Sequence, residues 1–151
     1  MVETRRSRGS NWTGILSFGF FLLLVGAIWI ATPNFTEEVT DFINDFHLAK
    51  IGENLFFPAP MHSHPVFFTA AMQFCFIFGA FQIIILGLKF AFQEIVDKKA
   101  DTASGIAFWF SAGYFLNMLA NDAIGWFGLL AGLIICVGLS IIVSSFVKLF
   151  R

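Results

Sequence analysis

The chain is 151 residues long, 58 % apolar and only 13 % charged, with a mean hydropathy of +0.81 and a formal net charge of −1. Soluble domains carry about 25 % charged residues, and a chain this short has too much surface to keep so many apolar side chains dry. The composition therefore argues against a soluble globular protein and against a disordered one, and the balanced charge leaves no basic surplus for nucleic acid.

A helix needs about 20 mostly apolar residues to cross the hydrocarbon of a bilayer. Four stretches qualify, and they predict an all-α integral membrane protein with transmembrane helices at about 12–31, 66–92, 102–120 and 124–149. None of the four contains Asp or Glu. Lys89 and Lys148 sit near one end of their spans, where a long side chain can reach the interface. Arg5, Arg6 and Arg8 precede the first span, Lys98 and Lys99 follow the second, and Arg151 closes the chain. With both termini in the cytoplasm, eight of the nine basic residues lie inside and Lys50 alone lies outside. This is the topology expected of a multi-pass protein of the cell membrane.

Residues 33–65 form the one long segment between spans, expected on the outer side. Thr36 reads as an N-cap with Glu37 and Glu38 in the first turn. Phe35, Val39, Phe42, Ile43 and Phe46 recur at helical spacing, and Glu37, Glu38, Asp41, Asn44 and Asp45 fill the opposite face. The pattern predicts an external amphipathic helix over about 36–50, stopped near Gly52, with its Phe stripe in the headgroup region or over the spans. Pro58, Pro60 and Pro65 then forbid regular helix and impose an extended segment.

His62 and His64 are the most chemical-looking pair in the chain. Alternate residues of an extended segment point the same way, so both imidazoles could face one metal ion, with His47, Asp45 or Glu53 as further ligands. A pH-sensitive contact with the acidic helix is the alternative.

Inside the bilayer, small residues and interhelical hydrogen bonds hold helices together. Gly125, Gly128 and Gly132 share a narrow arc of the fourth span, and Gly128 and Gly132 form a GxxxG pattern that predicts a tight helix contact. Gly79 marks a packing position on the second span. On that span the bulky Phe67, Phe74, Phe78, Phe81 and Ile85 are expected to face lipid, and Thr69, Gln73, Ala80 and Gly87 to be packed. Gln82, near mid-membrane, needs a polar partner. Ser111, Tyr114 and Asn117 of the third span are the expected partners of Gln73 and Gln82. A second reading has these five polar groups lining a narrow uncharged pathway. Cys75 and Cys136 lie within spans without a CxxC pair, and no disulfide is expected between them.

No HExxH, GxSxG, phosphate-binding loop or Cys-rich metal pattern is present. The spans lack the carboxylates of proton-coupled transport and the histidines of a haem bundle. The expectation is a non-enzyme without a cofactor: an accessory subunit or assembly partner in a membrane complex, touching lipid and either a membrane protein or further copies of itself. A homo-oligomeric channel or facilitator for a small neutral or weakly cationic solute is the alternative. A metal-binding protein using the His62–His64 segment is the third.

Overall fold

The computed structural model describes residues 12–51 and 53–149. Gly52, Arg5, Arg6, Arg8 and Arg151, which enter the expectations above, lie outside the described residues. The chain is mostly helical, and three of its helices are long and apolar enough to cross a membrane.

The elements in order are α1 (Trp12–Ala31), α2 (Phe35–Asn44), β1 (Phe46–Lys50), β2 (Phe56–Pro60), α3 (Pro65–Ala91), α4 (Val96–Ala120) and α5 (Trp126–Leu149). The three span-grade helices are α1, α3 and α5. α4 has the length, at 25 residues, but it opens on Asp97, Lys98, Lys99 and Asp101 and carries Ser111, Tyr114 and Asn117 further along. It begins six residues before the expected start at 102, because this charged turn forms a regular first turn of helix.

α3, α4 and α5 run as two tight antiparallel hairpins, with α4 between its neighbours and carrying most of the interhelical packing. Both turns use the same device. Gln93, after α3, and Asp122, after α4, take left-handed backbone with φ of 49° and 54°. The amides that follow close the helix ends: Gln93 N–H donates to Phe90 O and Glu94 N–H to Lys89 O, and Asp122 N–H donates to Leu119 O and Ala123 N–H to Met118 O. This pairing satisfies carbonyls that a helix end would leave open.

The α3–α4 seam depends on small residues. A Cβ on Gly79 would stand 3.0 Å from the Phe110 ring, and one on Gly113 would stand 3.2 Å from Cys75 Cβ. Across α4 and α5, a Cβ on Gly132 would meet the Phe115 ring at 2.5 Å. Cys75, Ala112 and Cys136 bury together where the three helices meet, and both thiols are free.

α1 packs chiefly on α3, through aromatic rings. Phe20 stacks on Phe81 at 3.8 Å between centroids, and Phe21 meets Phe74 edge-on at 5.3 Å. The bulky face of α3 is thus the packed one, which reverses the expectation for that helix. Phe78 and Ile85 are buried, whereas Gln73, Ala80 and Gly87 are exposed. The physical reason is that lipid is as apolar as a Phe ring, so bulk does not mark a lipid-facing side.

The segment between α1 and α3 also departs from expectation. The amphipathic helix stops at Asn44, after ten residues, and 46–50 is a strand rather than its last turns. The N-cap is Asn34 rather than Thr36. Its backbone is left-handed, and its carbonyl accepts from the amides of Glu37 and Glu38. Asn tolerates this conformation better than most residues. β1 and β2 pair antiparallel with Phe46 opposite Pro60 and Lys50 opposite Phe56. Ile51 N–H donates to Leu55 O and Met61 N–H to Asp45 O, which fixes the parity of the ladder. Pro58 and Pro60 therefore occupy non-hydrogen-bonded positions, where a missing N–H costs the ladder nothing.

Candidate functional site

The strongest polar constellation lies where this small hairpin meets the start of α3. Asp45, directly after α2, is its centre. His62 Nδ1 stands 2.7 Å from Asp45 Oδ1, the His62 backbone N–H donates to Asp45 Oδ2 at 2.7 Å, and His64 Nε2 stands 3.1 Å from the same oxygen. Asp45 is only 12 % exposed and His64 10 %, whereas His62 is 74 % exposed. These hydrogen bonds, the one from the His62 backbone foremost, hold the Asp45 carboxyl far below the usual carboxylate range. An ionised carboxylate only accepts, so the protons sit on His62 Nδ1 and His64 Nε2.

The aromatic stripe of α2 presses this cluster onto the bundle. Phe42 stacks on Phe67 at 4.4 Å and meets His64 edge-on at 5.5 Å. Phe46 meets Trp126 at 5.4 Å, and Trp126 Nε1–H donates to Pro58 O at 3.2 Å. Phe35 lies between Trp29 of α1 and Phe67 of α3. The stripe thus covers the helix ends. Ser63 completes the attachment by donating to Asp122 Oδ1 at 3.2 Å, across to the α4–α5 turn.

The arrangement is that of a fastening. An Asp–His pair can orient a general base, but the adjacent hydroxyl, Ser63, is directed to Asp122 and not to a histidine. The metal set of His47, His62 and His64 is not assembled. His62 Nδ1 and His64 Nε2 are both engaged by Asp45, and His47 stays on β1, exposed and opposite Ala59. Among the described residues no three His, Cys, Asp or Glu side chains form a group that could hold a metal ion.

The five polar residues of the spans do not meet one another. Ser111 donates back to Ala107 O and Phe108 O of its own helix. Gln82 lies against the backbone of Gly105, its Oε1 3.3 Å from where a Cβ would be, and has no hydrogen-bond partner among the described residues. Gln73 is exposed on an open groove between α1 and α3. Tyr114 is 58 % exposed, and Asn117 Nδ2 reaches Met72 Sδ at 3.0 Å. The expected Gln73 and Gln82 bonds to Ser111, Tyr114 or Asn117 are therefore absent, and within one chain the five line no common path. The glycines divide in the same way. Gly79 and Gly132 make close helix contacts, Gly128 meets Ile124 just ahead of its own helix, and nothing lies within 4 Å of a Cβ on Gly125.

At the opposite end of the bundle Lys89 of α3 donates to Thr102 Oγ1 at 2.7 Å and to Lys98 O at 3.2 Å. Lys99 sits 4.6 Å from the centre of the Phe90 ring, and Lys148 lies 3.9 Å from Asp101. The sequence marks Lys89 only as an interfacial side chain. Its hydroxyl partner, Thr102, is not legible in the sequence, because no spacing rule links positions on two helices. Asp45 was one of several acids near the histidines, and only the hairpin singles it out. No protein-family model, curated protein or solved structure matches the chain.

Proposed function

We propose that the chain is a non-catalytic, four-span protein of the cell membrane that works as an accessory or assembly subunit, docking on a membrane partner through the free face of α4. In this reading α4 crosses together with α3 and α5. It is wedged between them and joined to each by a short turn, so a bilayer that encloses its neighbours encloses it too. Lys89, Lys98, Lys99 and Lys148 gather at one end, and this end with both termini faces the cytoplasm.

The observation that carries the docking reading is the exposure of Tyr114 and Asn117 on α4. They recur at i and i+3, on one side of a helix whose other sides hold α3 and α5. Among the described residues the only polar contact of Asn117 to another helix is the weak sulfur acceptor of Met72. A phenol and an amide facing acyl chains lack partners that a neighbouring transmembrane helix supplies. Ser63, the hydroxyl adjacent to the His–Asp cluster, is turned to Asp122, in keeping with a role other than catalysis.

The test is affinity purification in a mild detergent of the native chain and of a Tyr114→Phe/Asn117→Leu double variant. The native chain is expected to bring down a membrane protein in fixed ratio, and the variant to lose it while remaining folded. A native chain that comes down alone and monomeric overturns the reading. A symmetrical ring of copies with Tyr114 and Asn117 at its axis replaces it with the channel alternative, for which these uncharged groups would be the lining.

A further inference from the structure

Thr13 of α1, Gln82 and Lys89 of α3 and Thr102 of α4 line a cleft of about 260 Å³ at the lysine end of the bundle, with Ser17 beside them. Among the described residues no carboxylate lines it. Lys89 is partly buried here, and both of its partners are neutral oxygens. Among the described residues no Asp or Glu stands within ion-pair distance of it. An ammonium has three protons, and two acceptors leave one to point at an occupant. Thr13 is 5 % exposed and also lines the cleft, so its hydroxyl places a neutral donor and acceptor beside the Lys89 ammonium.

The depth of the cleft narrows the class. Gln82 lies two turns deeper than Lys89 on α3, about 10 Å along the helix axis. A cation and two hydroxyls at the mouth, with an unpartnered amide on the floor, match a molecule with an anionic phosphate at one end and neutral ester oxygens below it. Basic pockets between transmembrane helices on the cytoplasmic side suit such headgroups. We infer that this cleft binds the phosphate of an anionic membrane phospholipid, held by Lys89 and Thr13, with Gln82 donating to a glycerol ester oxygen. The inference rests on the membrane-spanning reading above but not on the partner of α4.

Native mass spectrometry of the full chain, delipidated in detergent and titrated with phosphatidylglycerol, phosphatidylcholine or inorganic phosphate, tests it. One phosphatidylglycerol is expected per chain, bound about tenfold or more tightly than phosphatidylcholine. Lys89→Met is expected to weaken it by about tenfold, as for loss of a charged hydrogen bond. The near-isosteric Thr13→Val is expected to weaken it by about threefold and carries the test if Lys89→Met does not fold. Lys148→Met, at an exposed lysine away from the cleft, is expected to bind as the native chain does. Equal binding of the two lipids, or native affinity in Thr13→Val and in a folded Lys89→Met, overturns the proposal. Inorganic phosphate bound as tightly as phosphatidylglycerol overturns its lipid part and leaves a soluble phosphate as the occupant. Loss of the protein partner in the Asn117 variant leaves this readout untouched, so the two proposals fail separately.

Discussion

Gly132 lies so close beneath Phe115 that a single methyl group would collide with the ring. Phe115 is itself packed among buried residues of α4 and α5, so it has little room to retreat. Gly132→Ala is therefore expected to destabilise the bundle by about 1–3 kcal/mol, the usual cost of overpacking. Gly138 is the control, because nothing lies within 4 Å of a Cβ built there. Gly138→Ala should be neutral or slightly stabilising, since Ala is the better helix former. Unfolding in detergent by titration with a denaturing surfactant reads both. Equal losses in the two variants would mean that Phe115 does not rest on Gly132. The same comparison explains why a GxxxG pattern is only half informative. It fixes which residues share an arc, but Gly128 and Gly132 differ in what stands opposite, and the sequence of one helix does not contain its neighbour.

At the scale of elements, the joint between the hairpin and α3 is electrostatic. Asp45 holds both the backbone and the ring of His62 and also the ring of His64. Its carboxyl is held well below the ordinary value, so as pH falls an unfolded chain protonates this group first. The contribution of the joint is therefore complete above about pH 5, where the free carboxyl is ionised, and declines progressively at lower pH. Asp45→Asn removes the ion at every pH. The expected result is that limited proteolysis within 46–61 of the native chain stays slow from neutral pH to about pH 5 and quickens only below it. The variant should be cut faster at every pH and show no such step. A native chain whose hairpin loosens between pH 5 and 8 would show that another group carries the joint.

This joint also marks how far the elements were legible. The long apolar runs of α1, α3 and α5 announce themselves, because lipid demands continuous hydrocarbon-length helices. The α2 pattern continues through Phe46 at helical spacing, and nothing local says that the chain leaves the helix at Asp45. The strand that follows forms by pairing with a second strand across a turn, from Phe46 opposite Pro60 to Lys50 opposite Phe56, a contact that local propensity does not encode. The proline-rich stretch is extended, as its prolines require, but nothing local announces its partner strand. The inward face of α3 is not legible in the sequence for a related reason: when the solvent is apolar, hydrophobicity no longer separates inside from outside. The histidine pair was legible as chemistry and not as a site, since its meaning depends on one carboxylate chosen by the fold.

For the whole molecule, the decisive quantity is the number of crossings. α1, α3 and α5 qualify by composition, and α4 falls short because of its charged first turn and its scattered polar groups. In the four-span reading, burial in the bundle offsets that shortfall, since α4 would expose to lipid only the side that α3 and α5 leave open. If α4 crosses, residues before α3 and after α4 share one side of the membrane, and the turn between α3 and α4 lies on the other. Lys50→Cys, Lys99→Cys and Ala123→Cys place reporters before α3, in the first turn of α4 beside the α3–α4 turn, and just after α4. Cys75 and Cys136 are buried and should stay silent. A membrane-impermeant maleimide applied to intact cells is expected to label Lys50→Cys and Ala123→Cys, and to reach Lys99→Cys only after permeabilisation. Labelling of Ala123→Cys together with Lys99→Cys would leave α4 on one side and reduce the crossings to three. It would also pull the Tyr114–Asn117 face out of the hydrocarbon, where an exposed amide has water for a partner and no longer calls for a neighbouring helix.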